Sequence, residues 1–263
     1  MVKIFYLSIA SGTQKRTAEA LGYPYILVNF MTKSNNPPSC SKILFVDSGG
    51  FPSSFIHNGY NKSDSEYLHF VKKTKATYFA LRDYPCEPQI LQKYNVTVRD
   101  QILRTVEHHI KLLDLLSNYD LSAKPIPVIQ GWEIEEYLFC LDEFREHGLI
   151  SEYMAIGSLC RRNATTQIRK IILTVRDELK DSIKLHGFGV KLSALKNKAV
   201  WDALYSVDSA AWDFDARWHR YRKKVNASAF EASLMLAKNY INKIENLKRK
   251  YEGQKTLEVV SHV

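Results

Sequence analysis

Short runs of apolar, β-branched and aromatic residues recur along the chain at 3–8 (KIFYLS), 25–30 (YILVNF), 43–46 (ILFV), 77–81 (TYFAL), 126–129 (IPVI), 153–156 (YMAI), 183–188 (IKLHGF) and 204–207 (LYSV). Each has the length of a strand. Between the later runs, segments near 97–117, 133–147, 163–180 and 193–203 space their apolar residues helically, so the second half alternates strand and helix. That alternation predicts a parallel sheet with right-handed crossovers. About eight strands in 263 residues favour a (β/α)8 TIM-type barrel over an open doubly wound sheet.

The last periodic segment, 228–252, opens with Ser228 and Glu231 in an S-x-x-E capping box. Phe230, Leu234, Ala237, Ile241, Ile244 and Tyr251 define its expected buried face, and Lys238, Lys243, Lys248, Arg249 and Lys250 its polar one. GQKTLEVVSHV beyond it reads as a short tail. With no internal repeat and no composition break before residue 213, the expected organisation is a barrel over 1–213 and a basic helical extension, packed on the barrel, over 214–263.

Composition narrows the class. A hydrophobic content of 45% with 25% charged residues excludes wholesale disorder. The sequence has no apolar stretch of membrane-spanning length and no signal-peptide pattern, which predicts a soluble, cytoplasmic protein without membrane partners. Cys40, Cys86, Cys140 and Cys160 are scattered singly, as reduced thiols are, with no structural-zinc spacing. The formal charge is +9, and residues 214–263 hold 11 Lys/Arg against 5 Asp/Glu. Such clustering suits either a polyanionic partner or a solvated basic helix. In RWHRYRKK (217–224), Arg217, Arg220, Arg222, Lys223 and Lys224 interleave with aromatic rings, which favours nucleic-acid binding there.

Candidate chemistry gathers where the strands end. Asp47, Asp83, Gln130, Gly157 and Asp208 each follow an apolar run, the position from which barrel active sites are assembled. Three carboxylates at one end of a barrel permit a division between nucleophile and acid/base. Each Asp taken singly is equally readable as a loop cap or Asx turn. Ser48, Gly49 and Gly50 offer a tight turn beside a ligand, Gln130 and Gly131 an amide for a heterocycle edge, and Gly157 and Ser158 backbone N–H groups for a carbonyl. His186, with Gly187 after it, puts an imidazole and a glycine at another strand end, where a histidine bonded to backbone is the plain alternative to a functional one. Of the tryptophans Trp132, Trp201, Trp212 and Trp218, Trp212 is the one placed to shape a pocket near Asp208.

FVDSGGF (45–51), LRDYPCEP (81–88), VIQGW (128–132), YMAIGSL (153–159), LHGFG (185–189) and YSVDSAAW (205–212) resemble, in order, the motifs of the tRNA-guanine transglycosylase superfamily. The resemblance implies a barrel enzyme that exchanges guanine in a nucleic acid for a 7-deazaguanine base, without a cofactor. By that resemblance Asp208 is the nucleophile on C1′ and Asp47 the acid/base. Asp83 accepts from guanine N1–H and the 2-amino group, while Gln130, Gly131, Gly157, Ser158 and Leu159 address the remaining edge. Phe51 takes the stacking position, with Ser48, Gly49, His186 and Gly187 around the base.

The sequence also departs from the tRNA enzymes. Their C-x-C-x-x-C…H zinc site is absent, since no cysteine follows Cys160, and their usual Gly-Gly is Gly157-Ser158 here. His186, the VDSxxW segment and the compact chain look more like the branch that inserts 7-deazaguanines such as preQ0 into DNA. DNA is then the expected partner. The alternatives are a tRNA-guanine transglycosylase lacking zinc, with tRNA as partner, or a non-catalytic nucleic-acid-binding relative, against which the three carboxylates argue. Helper proteins and self-association stay open.

Overall fold

In a computed structural model, which describes residues 1–32, 36–162, 164–214, 219 and 226–260, the apolar runs form nine parallel strands. These are β1 (Ile4–Ile9), β2 (Tyr25–Asn29), β3 (Ile43–Asp47), β4 (Tyr78–Ala80), β5 (Lys124–Ile126), β6 (Val128–Ile129), β7 (Tyr153–Ile156), β8 (Lys184–Gly187) and β9 (Ser206–Ser209). Their order in the sheet is β5-β4-β3-β2-β1-β9-β8-β7-β6. The two ends of that order are one piece of chain, because only Pro127 separates β5 from β6. Proline has no N–H, so Pro125 and Pro127 remove ladder donors from this strand. Pro127 O still accepts from Ala155 N at 2.8 Å, while Ile126 O accepts from Leu81 N at 2.9 Å. The sheet therefore closes through a single proline-interrupted stave, which makes an eight-stave (β/α)8 barrel of the expected class.

Residues two apart share a strand face, and the core divides accordingly. Ile4, Tyr6, Leu27, Phe45, Ala80, Ile126, Val128, Tyr153 and Ala155 fill the barrel interior. Their neighbours Phe5, Leu7, Ile26, Val28, Leu44, Val46 and Phe79 pack outward into the helix-covered core. One step up the same inward rows stand Ser8, Asn29, Asp47, Gln130, Gly157 and Asp208. Period two alone thus puts a polar layer over an apolar plug.

The outer layer comprises α1 (Gly12–Leu21), α2 (Gly50–His57), α3 (Asp64–Lys73), α4 (Pro88–Tyr94), α5 (Val98–Leu116), α6 (Ile134–Glu146), α7 (Thr165–Glu178), α8 (Leu192–Leu195), α9 (Lys198–Ala203) and α10 (Ala229–Val260). The helix expected over 193–203 is the pair α8 and α9, because Asn197 caps a fresh start by accepting from Val200 N at 3.3 Å. α10 begins at the expected box, with Ser228 N donating to Glu231 Oε2 and Glu231 N to Ser228 Oγ. It continues to Val260, into the segment expected as a tail. Its buried face is also rotated from the expected one: Ala232, Ser233, Ala237, Tyr240, Ile244 and Tyr251 are buried, while Phe230, Leu234 and Ile241 are half-exposed. The cause is what α10 meets. Thr17 of α1 donates to Ser233 Oγ at 3.0 Å, and Tyr240 stacks on Phe5 at 5.5 Å. The cationic residues Arg217, Arg220, Arg222, Lys223 and Lys224 lie outside the described residues, as does Trp218. No helix among the described residues is long and apolar enough to cross a membrane.

Candidate active site

β9 carries Asp208 into the barrel mouth, 7% exposed. Its Oδ2 accepts from Ser8 Oγ at 2.6 Å and its Oδ1 from Gly189 N at 2.7 Å. Gly189 has φ +61°, a left-handed conformation that suits glycine and here turns its N–H onto the carboxylate. Below Asp208, His186 is completely buried against Tyr6, Phe45 and Phe188. Its Nε2 lies 3.4 Å from Asp208 Oδ1, and its Nδ1 lies 2.7 Å from Ser206 Oγ, which in turn meets Tyr153 Oη at 2.5 Å. The polar neighbours of His186 within the protein are thus Asp208 and Ser206.

Asp47 ends β3, half-buried, facing Asp208. Its Oδ2 accepts from Asn29 Nδ2 at 2.6 Å and its Oδ1 from Gly49 N at 3.1 Å, the hydrogen bond of an Asx turn. Burial, with the Asp208 charge adding, pushes the Asp47 carboxyl up to about 6, against the pull of the Gly49 and Asn29 hydrogen bonds. Asp83 follows β4 and is 8% exposed. It accepts from Ser48 Oγ at 3.0 Å and from Gln130 Nε2 at 2.5 Å. Burial and the charge of Asp47 raise it to about 7. The preceding Arg82 turns away from the site, bound to Asp64 at 2.9 Å and to the Lys62 and Ser63 carbonyls.

Gln130 is clamped at both ends of its amide, with Oε1 accepting from Ser158 Oγ at 2.8 Å. Its position depends on Gly157: a Cβ there would stand 2.2 Å from Gln130 Nε2. The Gly157 N–H is committed to Ile129 O at 2.9 Å, so this glycine supplies space, not the expected donor. Ser158 has φ +52°, uncommon for a residue with a side chain, and its hydroxyl is tied on three sides. Cys86 N donates to it at 2.9 Å, and Glu87 Oε2 lies 3.0 Å away. Leu159 is buried behind it, and Gly131 sits against Tyr137. Gly187 sits under the site, its Cβ position blocked by Val190.

Phe51, in the first turn of α2, is half-buried with the Arg161 guanidinium 4.5 Å from its ring centroid. Trp212 is 1% exposed, a residue of the helix-covered core. The sequence reading missed Glu87, Ser8, Asn29 and Tyr60. Glu87 is 1% exposed and its carboxyl is raised by burial. Ser8 and Asn29 were legible by the same rule that found Asp47, since both close an apolar strand on its inward row. Tyr60 lies outside the strands, and its hydroxyl sits 2.8 Å from Ser48 Oγ. No group of three His, Cys, Asp or Glu able to hold a metal ion occurs among the described residues, and all four cysteines are free.

A parallel barrel whose mouth holds three carboxylates, two of them raised toward neutrality, defines a class: a barrel enzyme built for proton-coupled chemistry at its strand ends. The particular family follows from comparison. The chain matches the family model DpdA, DeoxyPurine in DNA protein A, over residues 1–257, and belongs to that family, the DNA 7-deazaguanine transglycosylases. Its role is accordingly that of a DNA-modifying transglycosylase, with DNA as substrate. No curated protein matches it.

Proposed function

We propose that the protein replaces guanine in DNA with a 7-deazaguanine base of the preQ0 type through a covalent ester on Asp208. The observation that carries this reading is the pairing of an Asp208 anchored by Ser8 and Gly189 with Asp47, whose carboxyl is raised to about 6. An Asp208 oxygen attacks C1′ and the C1′–N9 bond breaks, while Asp47 delivers its proton to the departing guanine. The incoming base then returns a proton to Asp47 from its own N9–H and attacks C1′, and the ester bond breaks. Two displacements restore the β configuration, and the ester keeps water from ending the exchange early. A carboxyl near neutrality suits an acid that must next serve as a base.

Asp83, once ionised, accepts from guanine N1–H and the 2-amino group. Gln130 and the Gly157–Ser158–Leu159 turn face the remaining polar edge, with Phe51 as the stacking ring and Ser48, Gly49, Gly131 and Gly187 shaping the pocket. His186 backs Asp208 from inside the barrel and fixes its orientation. Ser158 stands where the tRNA enzymes have a second glycine, and its three polar neighbours offset the strain of its positive φ. The barrel over 1–213 supplies this chemistry. The basic segment with Arg217, Arg220, Arg222, Lys223 and Lys224 supplies phosphate contacts.

The test is a substrate comparison. Incubated with a labelled 7-deazaguanine base and either guanine-containing DNA or tRNA, the protein transfers label into DNA. Label entering tRNA but not DNA would overturn the reading.

A further inference from the structure

The last turn of α2 leaves two large apolar side chains in solvent, Phe55 at 40% and Ile56 at 61% exposure. Single exposed apolar residues are ordinary, but this pair is placed and braced. The Phe55 ring lies nearly parallel to that of Phe51, at 9° and 5.9 Å between centroids, so an aromatic ladder leads outward from the site. Cations flank it: Arg161 lies 4.5 Å from the Phe51 centroid and Lys93 4.7 Å from that of Phe55. Lys93 Nζ and Tyr94 Oη both donate to Phe55 O, at 2.6 and 2.9 Å, so α4 holds the tip in place. Neither contributing stretch, 48–63 or 88–99, contains an Asp or Glu.

Resting on the DNA-exchange reading, we propose that this tip binds the unpaired strand beside the target nucleotide. Phe55 stacks on the neighbouring base, Ile56 fills the gap left in the stack by the extruded base, and Lys93 and Arg161 meet the flanking phosphates. A base cannot be exchanged inside a closed duplex, so the strand next to it must be held open. Aromatic platforms flanked by cations hold single strands without reading sequence, and apolar wedges enter unstacked steps. The dimensions fit one neighbour: four residues of helix rise about 6 Å, under two base steps of about 3.4 Å. A second copy of this chain, itself +9, would bring like charge to the same cations.

The probe is a single-stranded oligonucleotide with 2-aminopurine beside the target guanine. Wild-type protein quenches its fluorescence by stacking. Phe55→Ala binds about 5- to 100-fold more weakly and does not quench. Phe55→Trp, which keeps a ring, retains both properties. Ile56→Ala, at a site too exposed to threaten folding, loses more affinity for duplex than for single strand. Undiminished binding and quenching by Phe55→Ala would overturn the proposal, as would a change confined to self-association. If wild-type protein exchanges base in DNA but is indifferent to Phe55, the strip alone falls. If quenching depends on Phe55 while no base enters DNA, the exchange reading falls and the strip stands.

Discussion

Asp208→Asn loses base exchange by at least about 10,000-fold and forms no denaturant-stable adduct with substrate DNA, while keeping its fold. A loss of that order follows when a covalent mechanism is deprived of its nucleophile. The fold persists because the amide has the carboxylate's shape. Its oxygen still accepts from Gly189 N–H, and the Ser8 hydroxyl can turn to accept from the new NH2 group. Single-turnover exchange of labelled base, read beside a thermal melt, checks both parts. An adduct that survives in Asp208→Asn would place the nucleophile elsewhere.

Asp83→Asn carries the second large effect, in two opposite directions. Asp83 rises to about 7 and Asp47 to about 6, both above an unfolded carboxyl near 4. Folding therefore holds protons that the unfolded chain releases. The stability contributed by these groups is complete below about pH 4 and is lost as pH rises through 6 to 7. For Asp83, 8% exposed, the loss amounts to as much as about 4 kcal/mol. Asp83→Asn removes that titration, so urea midpoints measured from pH 4 to 8 fall less steeply than in wild type. The same variant loses about 100- to 10,000-fold in kcat/KM for guanine exchange. Two hydrogen bonds to a charged acceptor, each worth about 1.5–3 kcal/mol, are no longer both available. Wild-type activity on guanine is correspondingly bell-shaped in pH, with its maximum between about 6 and 7, because Asp83 must be ionised while Asp47 still holds the proton it donates. Parallel stability profiles for the two proteins would contradict the buried-carboxylate account.

All eight barrel staves and the polar layer above them were legible from apolar runs and period two. Asp47, Gln130 and Asp208 occupy inward rows because Phe45, Val128 and Ser206 two residues earlier do. The first helices were not legible. α2 reads GFPSSFIH, with a proline in its first turn and few strong helix formers, so nothing in its spacing separates it from a loop. α3 did carry a readable signal, the Ser63–Glu66 capping box, whose reciprocal bonds are present.

Depth was the second limit. Sequence puts His186 at a strand end but cannot show that its ring lies beneath Asp208, sealed by Phe45 and Phe188. Nor can it show that Glu87 folds back under Ser158, since that contact joins residues 71 apart along the chain. The face of α10 is rotated for a related reason: its partner α1, GTQKRTAEAL, buries Gln14, Thr17 and Ala18 and has too few apolar residues to announce a buried face in the sequence.

The most direct test of the central claim is mass analysis of nucleosides from DNA and tRNA of cells that express the chain and contain a 7-deazaguanine base. The account predicts 7-deaza-2′-deoxyguanosine derivatives in the DNA, lost with Asp208→Asn, and no change in the tRNA. Modified nucleosides in the tRNA with none in the DNA would contradict it.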